Sequence, residues 1–192
     1  MQRVLTKLFA LWLLSALFLP AGAQEAGFLN SPKGFGAQYR FAEADGIFHT
    51  ATALIDIYGI PSSRCSSPGL RFNFSRQYIF KQMESRGVSF TLYAGPGLSA
   101  GVVRDHDKGR WFDLKSLISE NPGFMLALSG DAGCRFGFGR RISLDLSFTA
   151  DAGIHVRRNE DQPAYPATSL SVYNNGFLQA LYPQFTILFD LR

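Results

Sequence analysis

The sequence predicts an all-β fold, an antiparallel up-and-down transmembrane β-barrel of eight strands, and three observations carry that expectation. The chain opens with an export signal and holds no later run long enough for a spanning helix. Its apolar residues then alternate with polar ones through seven successive segments. The last segment, Pro183 to Arg192 (PQFTILFDLR), sets Phe185, Ile187, Phe189 and Leu191 on one face and Gln184, Thr186 and Asp190 on the other. A strand of about ten residues matches the tilted crossing of a bilayer core.

In chain order, Arg3 and Lys7 make a basic start and Leu8 to Leu19 an apolar run, which Pro20 ends. Ala21-Gly22-Ala23 is the small-residue pattern a signal peptidase accepts, so cleavage is expected after Ala23. This divides the chain into a signal peptide, 1–23, and one barrel domain, 24–192. No cysteine follows the small residues, which argues against a lipid anchor. The full chain carries 19 basic and 15 acidic residues. Without the signal, 17 basic residues face the same 15 acidic ones, and a net charge of +2 gives no support to nucleic-acid binding. The 18 phenylalanines are spread by alternation, the compositional mark of a transmembrane barrel.

The first strand is expected near Ala26 to Asn30, turning at Ser31-Pro32-Lys33-Gly34. Thr168 to Tyr173, with Asn175-Gly176 as a tight turn, is the other candidate for the eighth strand, but it upsets the alternation of loop lengths. Gly34 to Ala44 presents Phe35, Ala37, Tyr39 and Phe41 against Gln38 and Arg40. His49 to Tyr58 presents Ala51, Ala53, Ile55 and Ile57 against Thr50, Thr52 and Asp56. Leu70 to Phe80 sets Phe72, Phe74 and Tyr78 against Arg71, Asn73 and Gln77, and Val88 to Val103 sets Phe90, Leu92 and Leu98 against Thr91, Tyr93 and glycines. Phe124 to Phe136 opposes Leu126, Leu128, Ala132 and Cys134 to Ser129, Asp131 and Arg135. Ile142 to Ala152 is the cleanest, with Leu144, Leu146 and Phe148 against Asp145, Ser147, Thr149 and Asp151.

Connections at 44–47, 81–87 and 137–141 are short, whereas 59–68, 104–123 and 153–176 are long. Barrels of the outer membrane keep short turns inside and long loops outside. Arg76 falls on the apolar face, so it is expected near an interface or turned inward by a bulge. Pro96, lacking a ladder donor in mid-segment, predicts a bend or bulge there.

The inward set holds Arg40, Asp56, Arg71, Asp131, Arg135, Asp145, Asp151 and Asp190. An eight-stranded barrel has room inside for side chains and little else, and buried charges need partners. A packed polar plug of salt bridges is therefore expected rather than an open pore. Gly95, Gly97, Gly101 and Gly133 make room for larger side chains opposite.

No catalytic, cofactor-binding or metal-binding residue is assigned. Arg104-Asp105-His106-Asp107-Lys108 with Asp113 gathers hard ligands, but the spacing matches no defined calcium loop. Trp111 and Phe112 suit the headgroup level, and Arg157, Arg158, Glu160 and Asp161 read as a solvated loop face. His49, His106 and His155 are the only histidines; His155, Asp151 and Ser169 make the best catalytic triad that can be drawn. Cys65, in an outer loop, and Cys134, on the lipid face near an inner turn, are expected to lie too far apart to bridge.

Tyr93-Ala94-Gly95-Pro96-Gly97-Leu98 to Asp105 (YAGPGLSAGVVRD), Gly130-Asp131-Ala132-Gly133 with Arg140-Arg141-Ile142-Ser143-Leu144, and Tyr173-Asn174-Asn175-Gly176 with the terminal strand resemble segments of small outer-membrane β-barrel proteins of the Bacteroides group. The resemblance implies an outer-membrane barrel of a Gram-negative bacterium, inserted by the barrel assembly machinery, with no enzyme activity implied. Such barrels usually end on an aromatic residue, whereas this chain ends Phe189-Asp190-Leu191-Arg192. Three functional readings follow. The first is a non-enzymatic barrel with a structural role or contacts to lipopolysaccharide or an extracellular partner through its loops. The second is a lipid-modifying enzyme, a lipid A deacylase or acyltransferase type, with its site near His106 and His155. The third is a soluble periplasmic barrel whose apolar face points inward onto an apolar ligand.

Overall fold

Alternating residues that lie one by one across from their neighbours close a single antiparallel sheet on itself. The computed structural model describes residues 24–57, 60–61, 67–103, 123–139, 141–158, 168–173 and 181–191, with the backbone alone at 103, 155–158, 168–173 and 181. The strands are β1 (Glu25–Ser31), β2 (Gly34–Arg40), β3 (Ile47–Asp56), β4 (Gly69–Ser85), β5 (Val88–Val103), β6 (Gly123–Phe138), β7 (Ile142–Arg158), β8 (Thr168–Tyr173) and β9 (Leu181–Asp190). Each of β1 to β7 pairs with the next, and β9 pairs with both β7 and β1, which closes the ring. β8 lies on the same side of β7 as β9, opposite the upper part of β7, so β8 and β9 are two stretches of one last stave. Relative to β7, the register between them is offset by five residues. The result is a closed, all-antiparallel barrel of eight staves with no helix among the described residues.

Following directly opposed residues around the sheet gives the stagger. From Phe28 the row runs through Ala37, Ala53, Phe72, Ala100 and Leu126 to Ile154 on β7. In the other direction Phe28 leads through Ile187 to Leu144, also on β7. The two arrivals are ten residues apart, which for eight staves corresponds to a strand tilt of about 40°.

The distribution of side chains is inverted relative to a water-soluble domain. Among the described residues, twenty polar or charged side chains are buried against eight hydrophobic ones, while twenty-four large hydrophobics are exposed. Phe28 and Leu128, at 74% and 70% exposure, head a belt that runs around all eight staves. The period-two pattern thus places its apolar face outward, which overturns the reading of a soluble barrel with an apolar ligand core. Charged interiors need partners, whereas a Phe- and Leu-rich exterior needs an apolar medium.

Some expectations hold and others are corrected in detail. The first stave is the N-terminal one, turning at Pro32-Lys33. The stretch Thr168–Tyr173 pairs too, but as an extension of the last stave rather than a stave of its own, and β7 runs on to Arg158. The connection 81–87 shrinks to the turn at Arg86-Gly87, where both residues have positive φ (52° and 80°), the geometry of a tight hairpin turn that suits strand twist. Residues 81–88 are exposed on both faces, so they carry no alternation to read. Pro96 causes no bulge: β5 stays in register with β6 through Pro96 and Gly130. Its missing donor is felt toward β4, where the ladder skips Arg76 and Gln77 without changing register. The strands approach so closely there that a Cβ on Gly95 would lie 1.8 Å from the Arg76 carbonyl oxygen. The bulge falls instead between Ile79 and Lys81 on β4. Arg76 stays on the outer face, its guanidinium 5.4 Å from the Tyr78 ring centroid.

Candidate functional site

The lumen is organised in layers, each fixed by residues that alternate inward along their strands. At the end of the barrel with the short turns, Arg40 on β2 reaches across to β7. Its Nη2 donates to Asp145 Oδ2 at 2.6 Å, and the Tyr93 hydroxyl on β5 donates to Asp145 Oδ1 at 2.6 Å. Asp145 is completely buried and Arg40 is 4% exposed. The guanidinium also lies over two rings, 4.3 Å from the Phe48 centroid and 5.5 Å from that of Tyr93. Glu25 joins the same layer: it takes a hydrogen bond from Arg135 Nη2, another from Ser143 Oγ at 3.1 Å, and stands 3.7 Å from Arg40. Charge-assisted pairs of this kind are the strong hydrogen bonds of an interior.

At the loop end, Arg71 on β4 plays the corresponding part. Its Nη1 donates to Asp151 Oδ2 at 2.6 Å and to the Tyr182 hydroxyl at 3.2 Å, and its Nε stands 3.7 Å from Asp56. Ser99 Oγ donates to the other Asp151 oxygen at 2.8 Å. Lys33, from the turn between β1 and β2, folds into the mouth, with Nζ 4.7 Å from the Tyr182 ring centroid. It is 1% exposed. Between the charge layers lies a neutral band. Asn73 Nδ2 donates to Ser129 Oγ at 2.7 Å, Thr186 Oγ1 to Gln38 Oε1 at 3.1 Å, and Gln184 Nε2 to Thr149 Oγ1 at 2.7 Å. Asp131 sits in this band, accepting from Thr149 Oγ1 at 2.5 Å and Gln77 Nε2 at 3.2 Å.

These ties leave little space at mid-height. The central cavity, lined by Gln38, Thr50, Asn73, Gln77, Asp131 and Thr149 among others, has a volume of about 20 Å³, room for one water. Below it, a vestibule of about 630 Å³ opens at the short-turn end, lined by Glu25, Arg40, Glu43, Arg135, Arg141 and Asp190 among others.

Of the eight charges expected inward, Arg40, Asp56, Arg71, Asp131, Asp145 and Asp151 are buried in the lumen. Arg135 is half-buried beside Glu25, and Asp190 lines the vestibule. Gly133 does make room: a Cβ there would meet the Tyr93 hydroxyl at 2.6 Å. Lys33, Glu25, Phe48 and Tyr182 escaped the sequence reading. Phe48 and Tyr182 do share the parity of Thr50 and Gln184, so counting one residue further on each strand finds them.

The residues weighed for catalysis do not gather among the described side chains. His49 lies on the outer face, stacked on Phe74 with ring centroids 5.7 Å apart. Asp151 is held by Arg71 and Ser99. Residues 104–113, with His106, and residues 160–161 lie outside the described residues, as do Cys65, Asn175-Gly176 and the side chains of His155, Arg157, Arg158 and Ser169. Cys134 is a free thiol on the outer face. No group of three histidine, cysteine or carboxylate side chains among the described residues is placed to hold a metal.

The class defined by this geometry is a closed eight-stave antiparallel barrel with an apolar exterior and a hydrogen-bonded polar interior. No family model matches the chain, and no curated protein matches it. Among solved structures, a major outer membrane protein from Thermus thermophilus is similar in fold, with 14% identity over 88% of this chain and 100% of that one and a TM-score of 0.49. The barrel assignment rests on strand pairing alone. The eight-stave barrel expected from the alternation is present, whereas membership of the Bacteroides group has no support from these comparisons.

Proposed function

We propose that the protein is an integral barrel of the outer membrane of a Gram-negative bacterium, non-enzymatic and non-conducting, which serves as a structural element or presents its long loops to a partner. The observation that carries this reading is the inversion of polarity: an unbroken apolar belt outside and charge pairs inside. Burying that belt requires lipid, since a monomer in water does not leave an apolar surface of such extent uncovered. The central cavity of about 20 Å³ supports a closed lumen. The long connections between staves are the surface available to lipopolysaccharide or an extracellular partner, and insertion would use the barrel assembly machinery.

The test is heat-modifiability of the mature protein in an outer-membrane fraction, compared on SDS gels before and after boiling, with single-channel recording in planar bilayers. A mobility shift without stepwise conductance fits the proposal. A protein found in the soluble periplasm, or steady conductance, overturns it. Changing His106 and His155 to Ala should leave lipid A composition unchanged; an altered composition would establish the enzymatic reading instead.

A further inference from the structure

One buried carboxylate of the lumen stands apart from the charge pairs among the described residues. Among the described residues, the buried charges are three cations (Lys33, Arg40 and Arg71) and five carboxylates (Glu25, Asp56, Asp131, Asp145 and Asp151). Four of the carboxylates belong to the two charge layers, with Arg40 and Arg135 at one end and Arg71 and Lys33 at the other. The fifth, Asp131, is 8% exposed and forms no ion pair with any described residue. Its hydrogen bonds come from neutral hydroxyl and amide groups. A buried, ionised carboxylate without a counter-charge is strongly disfavoured.

A second observation falls in the same place. Gln77 is 1% exposed and lines the same central cavity as Asp131. Its Nε2 is spent on Ser75 Oγ at 2.8 Å and on Asp131. Its carbonyl oxygen, Oε1, accepts no hydrogen bond from any described residue. Satisfying the carboxylate fixes the amide with its nitrogen toward Asp131, so the unpartnered oxygen is a consequence of the network rather than of an arbitrary flip. An acceptor in a closed site, next to one uncompensated negative charge, calls for a positive group without donors to spare. Thr149, Thr50 and Gln38 line the same cavity with further oxygen atoms, and Arg71 lines it as well.

We propose that Asp131 and Gln77 hold one dehydrated monovalent cation of sodium size in the middle of the lumen. Carboxylate, amide and hydroxyl oxygens are hard ligands, which suit an alkali ion and not a transition metal. Asp131 is a single carboxylate without an ion pair among the described residues, which a single positive charge matches. A cavity with room for one water fits sodium better than potassium. The ion would add a charged tie between β4 and β6 beside the hydrogen bonds from Gln77 to Asp131 and from Asn73 to Ser129. The inference rests on the interior alone and is independent of the membrane in which the barrel resides.

The test is heat unfolding of the folded, mature barrel in non-ionic detergent, followed by circular dichroism. Sodium, potassium and choline chloride are compared at one ionic strength and one pH. The expected result is a midpoint that rises with sodium by about 3 °C per tenfold increase above half-saturation, less with potassium and not at all with choline. Asp131→Asn should fold, since it keeps shape and neutralises the charge, and should lose the sodium dependence. Equal midpoints in all three salts overturn the proposal, and so does sodium dependence that persists in Asp131→Asn. A midpoint that responds to acidity but to no cation would also overturn it, assigning a proton to the site. The wild-type salt series decides even if the variant does not fold.

Discussion

Arg40→Met should be among the most damaging single changes in this barrel, and its cost can be worked from the layer it leaves behind. Asp145 is completely buried and takes two hydrogen bonds, from Arg40 and Tyr93, both at 2.6 Å. Without the guanidinium it keeps one neutral donor at full burial. Leaving one partner of a buried pair unpaired costs about 3–5 kcal/mol. Asp145→Leu strands Arg40 in turn, with the Glu25 contact at 3.7 Å and two ring faces as its remaining partners, and should cost a similar amount. The double replacement leaves neither member of the pair stranded. What it loses is chiefly the acceptor of the Tyr93 hydroxyl, about 1 kcal/mol. The double variant should therefore be more stable than either single one. Urea unfolding of the barrel in micelles, followed by circular dichroism, gives the three free energies. Additivity to within about 0.5 kcal/mol would refute the account, because it would mean the two groups do not act as a pair.

Other outcomes follow from the same geometry. Gly133→Ala should destabilise by about 1–3 kcal/mol in the same unfolding assay, since the new methyl would meet the Tyr93 hydroxyl, the Leu146 carbonyl oxygen and the Ser147 Cβ, and Tyr93→Phe should relieve only the first of these. Phe148→Arg, in the apolar belt between Ala132 and Pro183, should cost about 2–4 kcal/mol for a barrel folded in lipid. Met83→Arg, in the hairpin exposed on both faces, should change the same free energy little. In a Cys65→Ser background, Cys134 in lipid vesicles should react with an apolar maleimide and resist a charged one until the barrel is unfolded.

The staves were legible because a buried polar face and an exposed apolar face force a period of two, and that period survives in the sequence wherever both faces are in use. It fails at Lys81 to Ser85, where the hairpin is exposed on both sides and neither face selects a residue type. It also fails at Phe80, where one extra residue reverses parity within an otherwise regular strand. The candidate site divides in the same way. Arg40, Arg71, Asp145 and Asp151 lie within long alternating runs and could be assigned to the interior. Lys33 is a turn residue and Glu25 begins a strand, so neither has alternating neighbours on both sides to reveal its direction. The separation of Asp131 from the charge pairs was invisible for a related reason: pairing becomes meaningful only once cross-lumen partners are known. Pro96 misled because the rule against proline in a ladder concerns one hydrogen bond. Here that bond is simply not made toward β4, and the glycine at 95 gives the backbone room.

The cross-lumen pairs also set an order of events during assembly. Arg40 and Asp145 are separated by 105 positions, and Glu25 and Arg135 by 110. The first strand therefore enters the world with charges whose partners have yet to be synthesised, and the ring itself is sealed only by the last strand. Long-range closure of this kind is intrinsically slow. A subset of staves would leave Arg40 or Asp145 without its partner and two sheet edges unpaired. A chain truncated ahead of its last strand would lack both the seal of the ring and Tyr182, the aromatic partner of Arg71 and Lys33.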